Sequence, residues 1–227
     1  MANIYFADDE KDIREIVAAF LISDGHRVTA FETGDALLDA FQQKPCELVL
    51  LDIMMPGTDG IGILTALRKI SRVPVILLTA KDSDSDFYSG LSLGSDDYIA
   101  KPFKPMILSA KIRALLRRVQ YEKEMSGLES EAALACGNLR YSGKTHEFTV
   151  GGAILPLTPT ERRFLELMMR HFEEAVSRND VLDQVWDMDS DVETRVADET
   201  NRRLRKKLTA AGGRMSTYKR CGDTASS

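Results

Sequence analysis

Residues Leu48–Gly57 read LVLLDIMMPG. An unbroken apolar run meets a single acid, Asp52, and closes on Met-Met-Pro-Gly. A short apolar run with no polar alternation, bounded by turn residues, reads as a strand buried on both faces of a parallel sheet. Open sheets of this kind bind ligands beyond the carboxyl ends of their strands. Asp52 therefore stands where such a sheet does its chemistry.

Working outward, the same pattern recurs. Ile4–Ala7 is a short apolar run that delivers Asp8, Asp9 and Glu10. Ile13, Ile16, Val17, Phe20 and Leu21 follow at helical spacing, and Gly25 ends that helix. Val28–Phe31, Val73–Thr79 and Asp97–Ala100 read as further strands. Ala36–Phe41, Ile61–Ile70, Phe87–Leu93 and Ile107–Val119 read as helices. Strands alternate with helices five times in the first half, the pattern of a doubly wound α/β fold with a five-stranded parallel sheet. Polar residues fall where strands run out: Asp8 and Asp9, Asp52, Thr79 and Lys101. Taken singly, each has an ordinary explanation as a cap, a strand end or a surface lysine. A parallel sheet puts all those ends on one edge, so together they form a site. Three carboxylates in close range need a cation to stay ionised, and an all-oxygen set suits Mg²⁺ better than zinc. A carboxylate nucleophile, a divalent ion and a lysine are the parts of an in-line phosphoryl transfer.

The stretches NIYFADDE (Asn3–Glu10), LVLLDIMMPGTDG (Leu48–Gly60), VPVILLTA (Val73–Ala80) and GSDDYIAKPFKP (Gly94–Pro105) resemble the receiver domain of two-component response regulators. The resemblance covers residues 1–119. It implies that Asp52 accepts a phosphoryl group from a sensor histidine kinase. Asp9, Asp52 and the backbone carbonyl of Met54 would bind Mg²⁺, with Asp8 assisting. Lys101 would contact the phosphate and precede a cis bond to Pro102. Thr79 and Tyr98 would form the switch pair, a packing element biased by the new charge. It also implies a homodimer face with Asp96 and Asp97 opposite Lys111, Arg113, Arg117 and Arg118. Here the chain departs from the pattern. Ser89 and Ile107 stand where a basic and an acidic partner are usual, which predicts a weaker or more apolar dimer.

Residues 120–133 are charged, contain Gly127 and read as a linker. Residues 134–227 then change character. Leu134–Tyr141, Glu147–Val150 and Ala153–Leu157 alternate as antiparallel strands, with Gly151-Gly152 as a hairpin turn. Thr158-Pro159-Thr160-Glu161 is a capping box that opens a helix. A second helix follows Ser177, and a third spans Thr194–Leu208. From Glu193 to Arg220 there are nine Lys/Arg against three acids, so a net charge of −5 conceals a basic segment. LTPTERRFLELM, RNDVLDQVW and RRLRKKL resemble the winged helix-turn-helix DNA-binding domain of the OmpR/PhoB family. The third helix is then the recognition helix and double-stranded promoter DNA the partner. With Leu204 taken as core, the groove-facing series is Val196, Glu199, Thr200 and Arg203, with Arg203 and Glu199 reaching base edges. Arg195, Arg202 and Arg205 are the phosphate candidates. The ending MSTYKRCGDTASS lacks the glycine-rich hairpin of that family, so the wing is expected to be atypical. Read one base later, codons for Tyr218–Ala225 can spell Ile-Asn-Gly-Val-Gly-Ile-Arg-Leu, which matches the family ending.

Two rival readings meet specific obstacles. Phosphohydrolases with an aspartyl-phosphate intermediate need an acid two residues after the nucleophile. Met54 occupies that position, so no enzyme activity is expected. A receiver whose second half contacts protein or RNA is countered by the one-signed third helix. Cys46, Cys136 and Cys221 have no metal-ligand spacing and read as reduced thiols. With no signal peptide and no apolar run of membrane length, a cytoplasmic protein without membrane partners is expected.

Overall fold

The computed structural model describes residues 1–80, 93–125, 133–172, 176–186 and 194–213. The expected helix at Phe87, the Ser89 position, the side chain of Arg195 and the C-terminal wing lie outside the described residues. The chain divides into two compact units, Met1–Leu116 and Arg117–Ser227.

In the first unit the strands are β1 (Asn3–Ala7), β2 (Arg27–Phe31), β3 (Leu48–Asp52), β4 (Val75–Ala80) and β5 (Asp97–Lys101). All neighbours pair in parallel, in the order β2-β1-β3-β4-β5. The helices are α1 (Lys11–Ser23), α2 (Gly34–Gln43), α3 (Gly60–Ile70) and α4 (Pro105–Met125), the last of which continues past the end of this unit at Leu116. Leu48, Val49, Leu50 and Leu51 are all fully buried. They alternate between two cores. Val49 and Leu51 pack with Leu37, Phe41, Ile63 and Leu67 on one face. Leu48 and Leu50 pack with Val17, Leu21, Leu108 and Ile112 on the other. Each such side chain contributes about 1.5–3 kcal/mol, so β3 cannot slide without exposing both cores. The Thr33 hydroxyl accepts from Ala36 N–H and the Asp59 carboxylate from Gly62 N–H, which fixes where α2 and α3 begin. Helix α4 runs to Met125, six residues beyond the Val119 end expected, so the first part of the expected linker is helical.

The second unit opens with a four-stranded antiparallel sheet, β6 (Leu134–Cys136), β7 (Leu139–Ser142), β8 (Glu147–Val150) and β9 (Ala153–Ile154), in that order. Leu134–Tyr141 is therefore two strands and not one. Gly137 takes φ +61°, and Cys136 pairs with Leu139 across a two-residue turn. Helices α5 (Pro159–Arg170), α6 (Arg178–Trp186) and α7 (Thr194–Ala210) follow. The capping box is present: Glu161 N–H donates to Thr158 Oγ1 at 3.4 Å, and Thr158 N–H to Glu161 Oε2 at 2.9 Å. Phe164 and Trp186 meet edge to face at 6.3 Å, and Leu204 and Leu208 are buried on α7.

Candidate functional site

Register assembles the site. Ala7 pairs with Leu51, and Asp52 with Leu78. One residue further on, Asp8 and Thr79 therefore flank Asp52, while Ala80 pairs with Lys101. The chain leaves β1 for β2 on one side and reaches β3 on the other. That reversal opens the crevice in which open α/β sheets hold ligands.

Asp52 is 2% exposed and Asp8 fully buried. Lys101 Nζ lies 2.9 Å from Asp52 Oδ2, 2.8 Å from Asp8 Oδ2 and 3.5 Å from Glu10 Oε1. Burial raises the Asp52 pKa; Lys101 opposes the rise, Asp8 adds to it, and a bond from the Met54 backbone lowers it again. For Lys101 burial works against the charge, but the contacts with Asp8 and Asp52 outweigh it and raise the pKa. Asp8, Asp9 and Asp52 can each offer an oxygen, and these atoms lie within 4.8 Å of one another. That all-oxygen, anionic set fits a hard divalent cation such as Mg²⁺. Thr79 is buried at the end of β4, Lys101–Pro102 is cis, and the Met54 side chain is exposed.

Residues not singled out in the sequence support this set. Arg14 donates to the carbonyls of Asp8 (2.7 Å) and Asp9 (2.8 Å), which fixes the β1–α1 turn. Gly60 N–H donates to the Ile53 carbonyl at 3.0 Å, which draws α3 against the chain leaving Asp52. Arg14 carried no sequence signal beyond a helical position. Gly60 follows a capping Asp59, which was such a signal.

The expected dimer face needs correction. Asp96, Asp97, Lys111 and Arg118 are buried. Asp96 is bound by Arg68 at 3.0 Å and by Val75 N–H at 3.0 Å. Arg68 also donates to the carbonyls of Gly94 (2.8 Å) and Val73 (2.7 Å), so one arginine closes the turn before β5. Asp97 pairs with Lys111 at 3.0 Å, and Lys111 sits 5.7 Å from the half-buried Tyr98 ring. The pairs Arg68–Asp96 and Lys111–Asp97 are thus made inside the fold. Only Arg113 and Arg117 of the expected set are exposed, along with Ile107.

The expected groove-facing series is also corrected. Val196, Glu199, Thr200 and Arg203 are 1%, 6%, 1% and 5% exposed. Steps of four residues advance only about 40° around a helix. Val196, Thr200 and the core residue Leu204 therefore share a stripe, and the series follows the buried flank. Arg203 Nε lies 3.4 Å from Glu161 Oε1, and the guanidinium donates from its other end to Thr200. Among the described side chains of α7, Asp198, Arg202, Lys206, Thr209 and Ala210 are exposed, with Asn201, Arg205 and Lys207 at the margin. Arg202 is held by Glu199 at 2.6 Å, a contact that raises its pKa. Arg205 leans on Asn201 at 3.4 Å.

Comparison with known proteins follows the two units. The family model "Response regulator receiver domain" matches residues 4–113, and "Transcriptional regulatory protein, C terminal" matches 152–222. The phosphate regulon transcriptional regulatory protein PhoB of Pseudomonas aeruginosa is 39% identical over 91% of this chain and 89% of its own. The sensory transduction protein RegX3 of Mycobacterium tuberculosis is 36% identical over 92% and 91%. A solved mutant of RitR shares the fold, with TM-score 0.75 at 23% identity over 92% of this chain and 90% of its own. DrrB of Thermotoga maritima, an OmpR/PhoB homolog, gives TM-score 0.50 at 28% identity over 91% and 88%. The second unit thus has winged-helix architecture. Among the described residues no helix is long and apolar enough to cross a membrane.

Proposed function

Because the chain belongs to the OmpR/PhoB-type two-component response regulators, we propose that Asp52 is the phosphoacceptor and that its phosphorylation controls promoter binding by the second unit. The observation that carries this is Lys101 Nζ poised 2.9 Å from Asp52 and 2.8 Å from Asp8, at the switch point of the sheet.

An Asp52 oxygen attacks the phosphorus of a phosphohistidine on the partner kinase. The P–O bond forms as the P–N bond breaks, and the leaving imidazole takes a proton. Lys101 holds Asp52 ionised and takes up charge on the transferred group. Asp8, Asp9, Asp52 and the Met54 carbonyl are the groups that would hold Mg²⁺, which would supply positive charge against that building on the phosphoryl oxygens. Thr79 receives the modified group, and Tyr98 repacks in response. The protein then acts as a cytoplasmic homodimer on double-stranded DNA, through Arg202 and Arg205 on the outward side of α7.

Incubation with acetyl phosphate and Mg²⁺, read by intact mass, tests the acceptor. The unsubstituted protein gains one phosphoryl group and Asp52→Ala none. An undiminished gain in Asp52→Ala would overturn the assignment.

A further inference from the structure

The buried carboxylate of Glu161 does more than a capping residue requires. Its cap needs one acceptor for the Thr158 N–H, supplied by Oε2 at 2.9 Å. The same oxygen receives Lys207 Nζ at 2.5 Å, and Oε1 faces Arg203 Nε at 3.4 Å. Lys207 donates further to the Pro156 carbonyl at 3.1 Å. Glu161 and Thr158 are fully buried, and the Arg203 side chain is 4% exposed. Two cations one turn apart on α7 thus converge on one acid of α5. A buried carboxylate with two cations fixes an approach and a rotation, because neither partner can move away without leaving charge unpaired out of water.

On the reading that the second unit binds duplex DNA, we infer that Glu161 is a positioning residue for the DNA-contacting helix. It holds α7 through Arg203 and Lys207, and Arg203 therefore serves the fold while Arg202 and Arg205 meet phosphate. The basic segment then divides in two. Residues on the Thr200–Arg203–Lys207 stripe set the rotation of the helix, and those on the opposite side use it. Charge alone does not distinguish the two sets; burial does.

The test compares full-length variants on a random-sequence DNA duplex across a salt series, with melting temperature measured alongside. Removing a side chain that neutralises one phosphate lowers the slope of log affinity against log salt by about one. Arg202→Ala is expected to lower that slope with little change in melting. Arg203→Met is expected to lower melting temperature and weaken binding several-fold with the slope intact. The pair Glu161→Gln with Arg203→Met removes the buried acid and its buried arginine, leaves the partly exposed Lys207 to the Pro156 carbonyl and water, and keeps the cap through Gln. It is expected to recover melting temperature and affinity at the original slope, since losing both partners is far less costly than losing one. A double variant that recovers stability but keeps a slope reduced by about one would make Arg203 a DNA contact and overturn the inference. A double variant that melts no higher than Arg203→Met would overturn the coupling to Glu161. If the unsubstituted chain binds no duplex, the DNA reading itself fails, and the melting comparison still decides the coupling.

Discussion

A Cβ placed on Gly60 would stand 2.1 Å from the carbonyl oxygen of Asp52. The first residue of α3 therefore touches the backbone of Asp52 with no room for a side chain. The clash is with main chain, which cannot swing aside. Gly60→Ala should destabilise the first unit by about 1–3 kcal/mol, the usual cost of overpacking, and slow labelling of Asp52 by acetyl phosphate. Thermal melting and a labelling time course check this; wild-type values in both would sink it.

Charge at Asp52 should make stability depend on pH in a defined direction. Burial lifts its pKa in the folded state. A raised folded pKa means its contribution is fully present below the ordinary carboxylate range and lost as pH rises through the raised value. At neutral pH without divalent cation the ionised group is a cost. Asp52→Asn should therefore melt higher than the parent near pH 7, and the gap should close on acidification. An unchanged gap down to pH 4, about the ordinary aspartate pKa, would contradict this.

Glu161 should behave in the opposite sense. Although burial opposes its ionisation, Arg203, Lys207 and the Thr158 N–H hold its pKa below the usual value. Its contribution is present above the ordinary glutamate pKa and lost as pH falls through the depressed one. Glu161→Ala should cost the second unit about 3–5 kcal/mol at neutral pH, the range for breaking a buried pair. Denaturant unfolding at two pH values measures both the size and its decline in acid.

Removing Lys101 should leave Asp8 and Asp52 buried without their shared cation. Lys101→Met is expected to lower melting temperature sharply in chelator. Millimolar Mg²⁺ should restore more of it than it adds to the parent, because binding to the folded state stabilises by mass action. Equal Mg²⁺ shifts in both proteins would refute the shared-site reading.

Self-association should respond to Arg113 and Arg117 and not to the acids before β5. Arg113 is exposed, with Asp24 at 3.6 Å, and exposed pairs are worth about 0–1 kcal/mol. Charge reversal at Arg113 should alter sedimentation after phosphorylation with little change in melting. Asp97→Ala should lower melting instead, since it strands Lys111. Equal melting losses in both variants would count against this division.

The cluster of Asp8, Asp52, Thr79 and Lys101 was legible because its polar residues lie at strand ends. Once β1, β3, β4 and β5 are placed, parallel pairing brings Asp8, Asp52, Thr79 and Lys101 together without further information. The charged residues of helices and turns were harder. Asp96, Glu161 and Arg203 are buried and Arg68 half-buried, each against a partner 28 or 42 positions away in the chain. Local periodicity does not reveal such partners, since an arginine can cross a core boundary on its long apolar stem. Gly137 split an expected strand for a simpler reason: a left-handed residue inside an alternating run marks a turn as readily as a bulge.

Strand β3 behaves as a ruler. Its four apolar residues alternate between two cores, and its first polar atom arrives only where the sheet ends. Deleting one residue between Leu48 and Leu51 would swap the cores that its side chains enter and draw the acceptor about 3.3 Å back into the sheet, beyond the reach of Lys101. The placement of Asp52 at the sheet edge is therefore encoded as a count of residues as much as a choice of side chains. A variant that keeps every site residue but loses one leucine should take up as little label from acetyl phosphate as one without the aspartate.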